Sequence, residues 1–493
     1  MKTITGEEFY ELLKSESTSS IDQYSIEILD DLTVNLNNIF HRISISNCNF
    51  SGKISFFDTR KEENPFNGIR LYFDKCSFGD LVVSQCFFDE LKFINIKSKG
   101  NIFSIRECQI YSFEIASSTI QNEDFVIHHN KFITQIHLKD IRTEKGKFSL
   151  RKNVFPINEG AFYKPSFINN CQFINCDIYE NDFGYELSFL NNTLTDEDKT
   201  NHSSNYFKKC IFGKSSFYNT DFGESTKFLS CDFNGATLFE NIKNDFNTAL
   251  DFKNDKFKNT VSFNKTKIHK LNFDNCVFEN YAFFQETYFD IIKIDKSIFE
   301  KSAFFDDVKI MDIDKCDRRT IRNIKLHLQK VENKIDYNKF RVYEFDAYKA
   351  DLKKQIDNYK KDKNHFYHRI RDIKHLRRDL FILNLTGFYS DYGTDWKKAL
   401  KFTLLFGLLL YVTFFIFENC SSSWDINEWQ VAPIGFLRFF ILTDFYNPLA
   451  DGKTYISNNG WNHLISWIIF IFGKVVIAFG IYEMIQAFRK FKA

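Results

Sequence analysis

The residues able to do chemistry fall into three groups. Between His365 and Arg378 the stretch HFYHRIRDIKHLRR carries five Lys or Arg, three His and one Asp. In a ring of subunits, Arg369, Arg371, Lys374, Arg377 and Arg378, with His365 and His368, would form a collar for a central anionic ligand such as a nucleotide or oligonucleotide. Cations there neutralise phosphate, and His or Tyr rings stack on bases. Two other uses compete for the same charges: attraction to anionic lipid headgroups, at about 1 kcal/mol per basic residue, and interhelical salt bridging. The second group lies near the C-terminus, where Lys474 is the one charge in the middle of an apolar run and Thr443, Asp444 and Asn447 lie in the polar string TDFYNP. A lysine at mid-membrane depth costs about 2.5–3.5 kcal/mol and marks an ion path or a buried partner. Asp444 is the expected partner, with acidic charge left at the outer mouth to favour cations. The third group is His128 and His129, whose side chains, adjacent on a strand, should point to opposite faces and so disfavour a shared metal. No Asp/Glu/Lys cluster recurs in the repetitive body of the chain, so no catalytic residue, metal or cofactor is expected and the chain does not read as an enzyme.

The C-terminal group depends on two apolar runs, Ala399–Phe417 and Leu464–Tyr482, each about the 20 residues that cross a bilayer as a helix. Between them PIGFLRFFIL, Pro433–Leu442, is too short to cross and apolar enough to enter. Span, re-entrant helix, polar turn and span build a two-span channel subunit, and non-helical backbone at membrane depth survives only against protein or a water-filled cavity. An amphipathic loop on a two-helix anchor is the alternative. Arg369–Lys401 holds eight Lys or Arg, whereas Glu418–Gly460 holds only Arg438 and Lys453, so both termini are expected in the cytoplasm. The N-terminal MKTITGEEFYELLKSE has no apolar signal core and reads as a short helix capped by Thr5, with Glu8 closing a capping box.

Sixty Phe and five Pro in 493 residues are the compositional anomaly. Residues 316–380 carry 19 basic and 10 acidic side chains, while residues 1–315 carry 37 and 46, so a basic neck joins an acidic body to the apolar end. Nine cysteines are followed two residues later by Phe or Ile, as in Cys48-Asn-Phe50, Cys231-Asp-Phe233 and Cys276-Val-Phe278. Equivalent positions Phe88, Ile110, Phe132, Phe155 and then Phe212, Phe233, Phe257, Phe278, Phe299 are 21 to 24 residues apart. A fixed period near 20 marks a solenoid. The rhythm predicts a four-sided coil with Phe stacked at the centre and a small residue near each corner, some eleven coils and roughly 50 Å long at about 4.8 Å per coil. Thr59–Gly68 and Thr193–Ser204 read as loops thrown out of the coil. From Arg318, Ile321, Ile324, Leu328, Val331 and Ile335 recur at helical spacing, and Val342, Phe345, Tyr348, Leu352 and Ile356 follow in a second helix. The expected domains are a cap over 1–39, the β-helix over 40–315, a helical basic neck over 316–395 and a transmembrane pore domain over 396–493.

The Cys-x-Phe rhythm resembles the pentapeptide-repeat family, which implies a right-handed quadrilateral parallel β-helix over roughly residues 40–310, with a looser parallel β-helix as the alternative, although the usual Ala-Asp/Asn-Leu motif is rare here. Together with Tyr392-Gly393-Thr394-Asp395-Trp396 at the mouth of the first span and GIYEMIQAFRKF after the second, the chain is similar to bacterial pentapeptide-repeat membrane proteins with a two-span, potassium-channel-like C-terminus. Such proteins resemble effectors of anti-phage systems of the Hailong type. That resemblance implies a homotetramer in the inner membrane, controlled by a nucleotide or DNA oligomer made by a partner enzyme, that depolarises the infected cell. The filter string Thr-Val-Gly-Tyr-Gly is absent and Thr443–Pro448 stands in its place, which puts potassium selectivity in doubt. A membrane-tethered repeat scaffold without a pore is the competing expectation. Some pentapeptide-repeat proteins also mimic duplex DNA, a role for which a membrane tether has no use.

Overall fold

The structure is a computed structural model that describes the chain apart from residue 1 and residues 16–19, 22–25, 39–41, 59–68, 157–164, 195–203, 244–246, 362–365, 420–425, 445–459 and 490–493. His365, Asn447 and nearly all of the two expected loops therefore lie outside the described residues. The chain forms two compact units, Met1–Val331 and Glu332–Ala493.

The first unit is a parallel β-solenoid of about 12 turns. Strands of successive coils pair in parallel and in register, as when Ile102–Arg106 pairs with Asp124–His128 and that with Lys147–Arg151. The cysteine rhythm has a backbone cause. All nine cysteines of the motif directly follow a residue in the left-handed region, among them Asn47, Lys75, Glu107, Lys209, Ser230 and Asn275, at φ of 52–57°. Such a residue breaks the two-residue alternation of a strand and turns the chain at a corner, at a cost on the order of 1 kcal/mol or more away from glycine. Its N–H is kept in the ladder: Lys75 donates to Ile94 O at 3.1 Å and Asn275 to Asp295 O at 3.0 Å. The next side chain turns inward beside backbone, where a small hydrogen-bonding group fits. The Cys231 thiol donates to Phe207 O at 3.3 Å and that of Cys276 to Phe252 O at 3.4 Å. Asn130, Asn153 and Asn181 take the same position, their amides donating to Ile105, Ile127 and Leu150 O at 2.9, 2.9 and 2.6 Å. Burial pushes the Cys171 and Cys276 thiols up to about 12, so they are structural and unreactive.

Three residues beyond each such corner residue the chain delivers its large apolar side chain. Phe132, Phe155, Phe183, Phe212, Phe233, Phe257, Phe278 and Phe299 form one column with ring centroids 4.4 to 5.5 Å apart. A second column, Phe217, Phe239, Phe263, Phe284 and Phe305, runs beside it.

Helices close both ends, where an open coil would expose unpaired strand groups. Helix α1 (Gly6–Ser15) starts at the expected capping box, with Glu8 N donating to Thr5 Oγ1 at 3.2 Å and Thr5 N to the Glu8 carboxylate at 3.0 Å. Its buried Phe9 meets Phe50 edge-on at 5.4 Å. Helix α2 (Arg318–Lys330), N-capped by Asp317, folds back on the last coil. There Thr320 Oγ1 accepts from Ile294 N at 2.8 Å, and the His327 ring sits edge-on to Phe299 at 4.9 Å, ending the aromatic column. His327 Nδ1 accepts from Ala303 N, and burial lowers its pKa to about 4, so the ring is neutral.

One expectation fails here. His128 and His129 do not diverge: their Nδ1 atoms are 2.8 Å apart, because His129 is itself a corner residue at φ 56°. Among the described residues no group of three or more His, Cys, Asp or Glu is arranged to hold a metal.

Two stability predictions follow from these columns. Phe278→Ala should cost about 3–5 kcal/mol, with Cys276→Ser milder, in thermal unfolding followed by circular dichroism. Asp255 occupies the column of Cys and Asn donors yet accepts from Cys231 N and Lys253 N, and burial pushes its carboxyl up to about 8. A folded pKa above the ordinary carboxylate value stabilises the fold at low pH, and that contribution is lost as pH rises through about 8. Asp255→Asn should therefore remove a loss on the order of 5 kcal/mol between about pH 4 and 8 and melt higher than wild type at pH 8.

Candidate functional site

The second unit contains helices α3 (Lys334–Lys361), α4 (Phe366–Ser390), α5 (Trp396–Asn419), α6 (Ile426–Phe440) and α7 (Gly460–Arg489). Within α5 and α7, Trp396–Glu418 and Leu464–Arg489 are long and apolar enough to cross a membrane. Their outward faces expose Leu404, Leu405, Leu408, Ile471 and Val475, a pattern that suits lipid rather than water.

Helix α6 packs against both. Its Phe439 is fully buried among Tyr411 and Phe414 of α5 and Phe470 of α7, at centroid distances of 5.6, 6.1 and 5.7 Å. Glycines make the room: a Cβ at Gly473 would run into the Phe439 ring, and one at Gly407 into Phe440. Tyr411 Oη donates to Ala432 O at 2.6 Å, tying α5 to α6.

The end of α6 is where the charges meet. Two tight turns, Ile441 N to Arg438 O and Asp444 N to Ile441 O, wind the helix down. Lys474, near the middle of α7 and 6% exposed, donates to both of those carbonyls, at 3.2 Å to Arg438 O and 2.5 Å to Ile441 O. Its ammonium also lies 5.0 Å from the centre of the Phe470 ring and 5.9 Å from that of Phe439. A cation at a helix C-terminus meets the negative end of the helix dipole, and a ring face adds a second attraction.

The expected ion pair between Lys474 and Asp444 is not what forms. Asp444 Oδ2 takes Arg438 Nε at 3.0 Å, because the turn brings residue 444 back over residue 438, while Lys474 is spent on backbone carbonyls. Thr443 is exposed on the same turn. Reading the sequence for charge in the spans missed Arg438 as the partner, although it is the one charge in the Pro433–Leu442 dip. It also missed two buried carboxylates: Glu418 accepts from Ser466 Oγ at 2.6 Å, and Glu483 accepts from Ser390 Oγ.

The neck helices are joined to the spans by a strained turn. Asp391, Tyr392 and Gly393 all have positive φ, at 48°, 59° and 74°. Arg341 of α3 donates to Tyr392 O at 3.1 Å and Tyr392 Oη donates to Asp346 at 2.8 Å. Gly393 N donates to Ser390 Oγ at 2.7 Å, and Lys398 of α5 reaches Asp391 at 2.5 Å. Leu352 of α3, Leu383 of α4 and Tyr392 form the buried core of the neck, with Val342, Phe345 and Tyr348 of the expected apolar stripe packed on it.

The basic run lies on α4. His368, Arg369 and Arg371 are in its first two turns, and Lys374, Arg377 and Arg378 are exposed on the turns that follow. Arg378 is within 3.9 Å of Asp379 and also contacts His375.

Comparison with known proteins finds no family model, no characterised protein and no solved structure that matches this chain.

Lys474→Met, which keeps the length but loses the donors, should lower the thermal stability of the helical unit in detergent by about 1–3 kcal/mol. Lys474→Arg should retain most of it, and equal losses in a thermal-shift assay would mean that the charge is not what holds α6.

Proposed function

We propose that the chain is the subunit of a homotetrameric cation channel in a bacterial inner membrane, with both termini cytoplasmic. In this reading α5 and α7 are the spans, α6 is a re-entrant pore helix, and the solenoid and neck form the cytoplasmic sensor. The observation that supports it most is the clamp of Lys474 on the C-terminal carbonyls of α6, halfway along α7. A helix that stops halfway along a span is tolerated only where protein or a water-filled cavity takes up the backbone that follows. A lone two-helix anchor needs neither that helix nor the Lys474, Arg438 and Asp444 charges beside it. Asp444 and Thr443 on the turn would face the ion path and favour cations over anions.

Control would enter through the neck. His368, Arg369 and Arg371, in the first two turns of α4, together with His365, which lies outside the described residues, are the proposed contacts for an anionic effector, a nucleotide or DNA oligomer made by a partner enzyme. The turn Asp391–Gly393, bonded to α3, α4 and α5, would pass its binding to α7 through Ser390 and Glu483. By its resemblance to Hailong-type effectors, the channel would serve anti-phage defence and depolarise the cell when its control is lifted. A second reading, favoured by the closed and extended solenoid, is a membrane-tethered scaffold in which α5 and α7 only anchor. Neither reading involves enzymatic chemistry.

Planar-bilayer recording separates the two. The channel reading expects conductance, altered or abolished by Lys474→Met while insertion persists, and a reversal potential under a salt gradient that shifts in Asp444→Asn. Variants that both conduct like wild type would remove these residues from the ion path and the main support for the pore. Arg369→Gln with Arg371→Gln should weaken binding of a phosphate-bearing effector and lower its log-log salt slope by about one per lost phosphate contact.

A further inference from the structure

Helix α4 changes character halfway along. One stripe advances through residues 374, 378, 381, 385 and 388 in steps of three and four, so its members share a face. That face is basic at Lys374, Arg377 and Arg378 and then apolar at Phe381, Ile382, Leu385 and Phe388. Phe381 is 66% exposed and Phe388 54%, values that a water-facing helix has no reason to hold. The opposite side is the one that packs on the neck core, through Leu376, Leu380 and Leu383. Among the described residues neither Lys374 nor Arg377 has an ion-pair partner.

The position of the stripe says what covers it. Phe388 packs against Phe402, within the first two turns of α5, at a ring-centroid distance of 4.6 Å. Its apolar end is therefore continuous with the exposed Leu404 and Leu408 of the span. At the same level Trp396 packs on Phe488, with Lys397 and Lys401 exposed beside it, the aromatic and basic belt of a membrane surface. From Arg378 to Phe388 the helix rises about 15 Å, enough to run from headgroup phosphates to the acyl boundary, and helices of this kind bury their apolar face about 5–10 Å deep.

We propose that the second half of α4 is a membrane-surface helix, with Lys374, Arg377 and Arg378 binding the phosphates of anionic phospholipids and the stripe from Phe381 to Phe388 seated among their acyl chains. This takes those three residues out of the ligand collar and leaves its effector contacts at the start of α4. It rests on the reading of α5 and α7 as spans.

The test uses the full chain with a benzoylphenylalanine photo-crosslinker in place of Phe381, reconstituted in vesicles of phosphatidylcholine alone or mixed with phosphatidylglycerol. Irradiation should attach one phospholipid, with phosphatidylglycerol preferred. Lys374→Gln, Arg377→Gln and Arg378→Gln together should cut that preference about tenfold or more, and replacing each by the other basic residue should restore it. Millimolar ATP or inorganic phosphate should not compete. A cross-link to a second copy of the chain, labelling blind to the headgroup, or displacement by ATP would each overturn the proposal. Carbonate washing of the same vesicles tells its failure from that of the span reading: a chain that stays in the bilayer but labels only protein sinks the surface helix alone, whereas one that washes off sinks both.

Discussion

The solenoid depends on turning the chain at corners without losing a rung of the ladder. A left-handed residue does this locally, and the requirement propagates. The side chain after it turns inward, so Cys, Asn, Ser and Thr hold most of those positions, with the acceptor Asp255 and the apolar Ile96, Ile141, Ile242 and Val308 at the others. The large residue two further on must point inward, so Phe stacks on Phe coil after coil. Asn153 shows how tightly the levels are coupled, since its Oδ1 accepts from Asn130 N at 3.0 Å while its own N–H donates to Asn181 Oδ1 at 3.0 Å. Side-chain and backbone bonds there form one continuous ladder, and a single column serves both turning and cohesion.

The helical unit answers a different constraint, that of polar groups among apolar helices. Four are paired across helices: Tyr411 with Ala432, Glu418 with Ser466, Tyr389 with Thr403 and Ser390 with Glu483. Glycines at 407, 473 and 480 let the partners approach, as small residues do where helices pack in membranes. Lys474 fits the same scheme, its partner being a helix end in place of an acid.

What was legible in the sequence was local. The Thr5–Glu8 cap, the burial of Phe233 and Phe278, the apolar runs and the neck stripe each follow from the spacing of a few neighbours, and the structure holds all four. What escaped depends on where distant segments meet. Lys474 and Asp444 were matched by opposite charge, yet a helix C-terminus competes for a lysine as well as a carboxylate does, and nothing in the sequence says that Arg438 lies nearer to Asp444. Strand alternation would part His128 and His129, but the left-handed turn at His129 cancels it. The amphipathic stripe of α2 announces a helix but not that it folds back on the last coil, and the bond between Ser390 and Glu483 joins residues on separate helices with no pattern between them.

The closing helix α2 has a mechanical consequence. Inter-coil hydrogen bonds in a solenoid lie along its long axis, so a pull along that axis loads the coils in series and would peel them one at a time rather than shear them together. The chain leaves the solenoid through α2, so any tension from the helices that follow arrives first where Thr320 and His327 hold α2 to the last coil. The grip of that one helix, a few hydrogen bonds and an aromatic edge, is the fuse of the whole rod: it sets the force at which the coils begin to unwind.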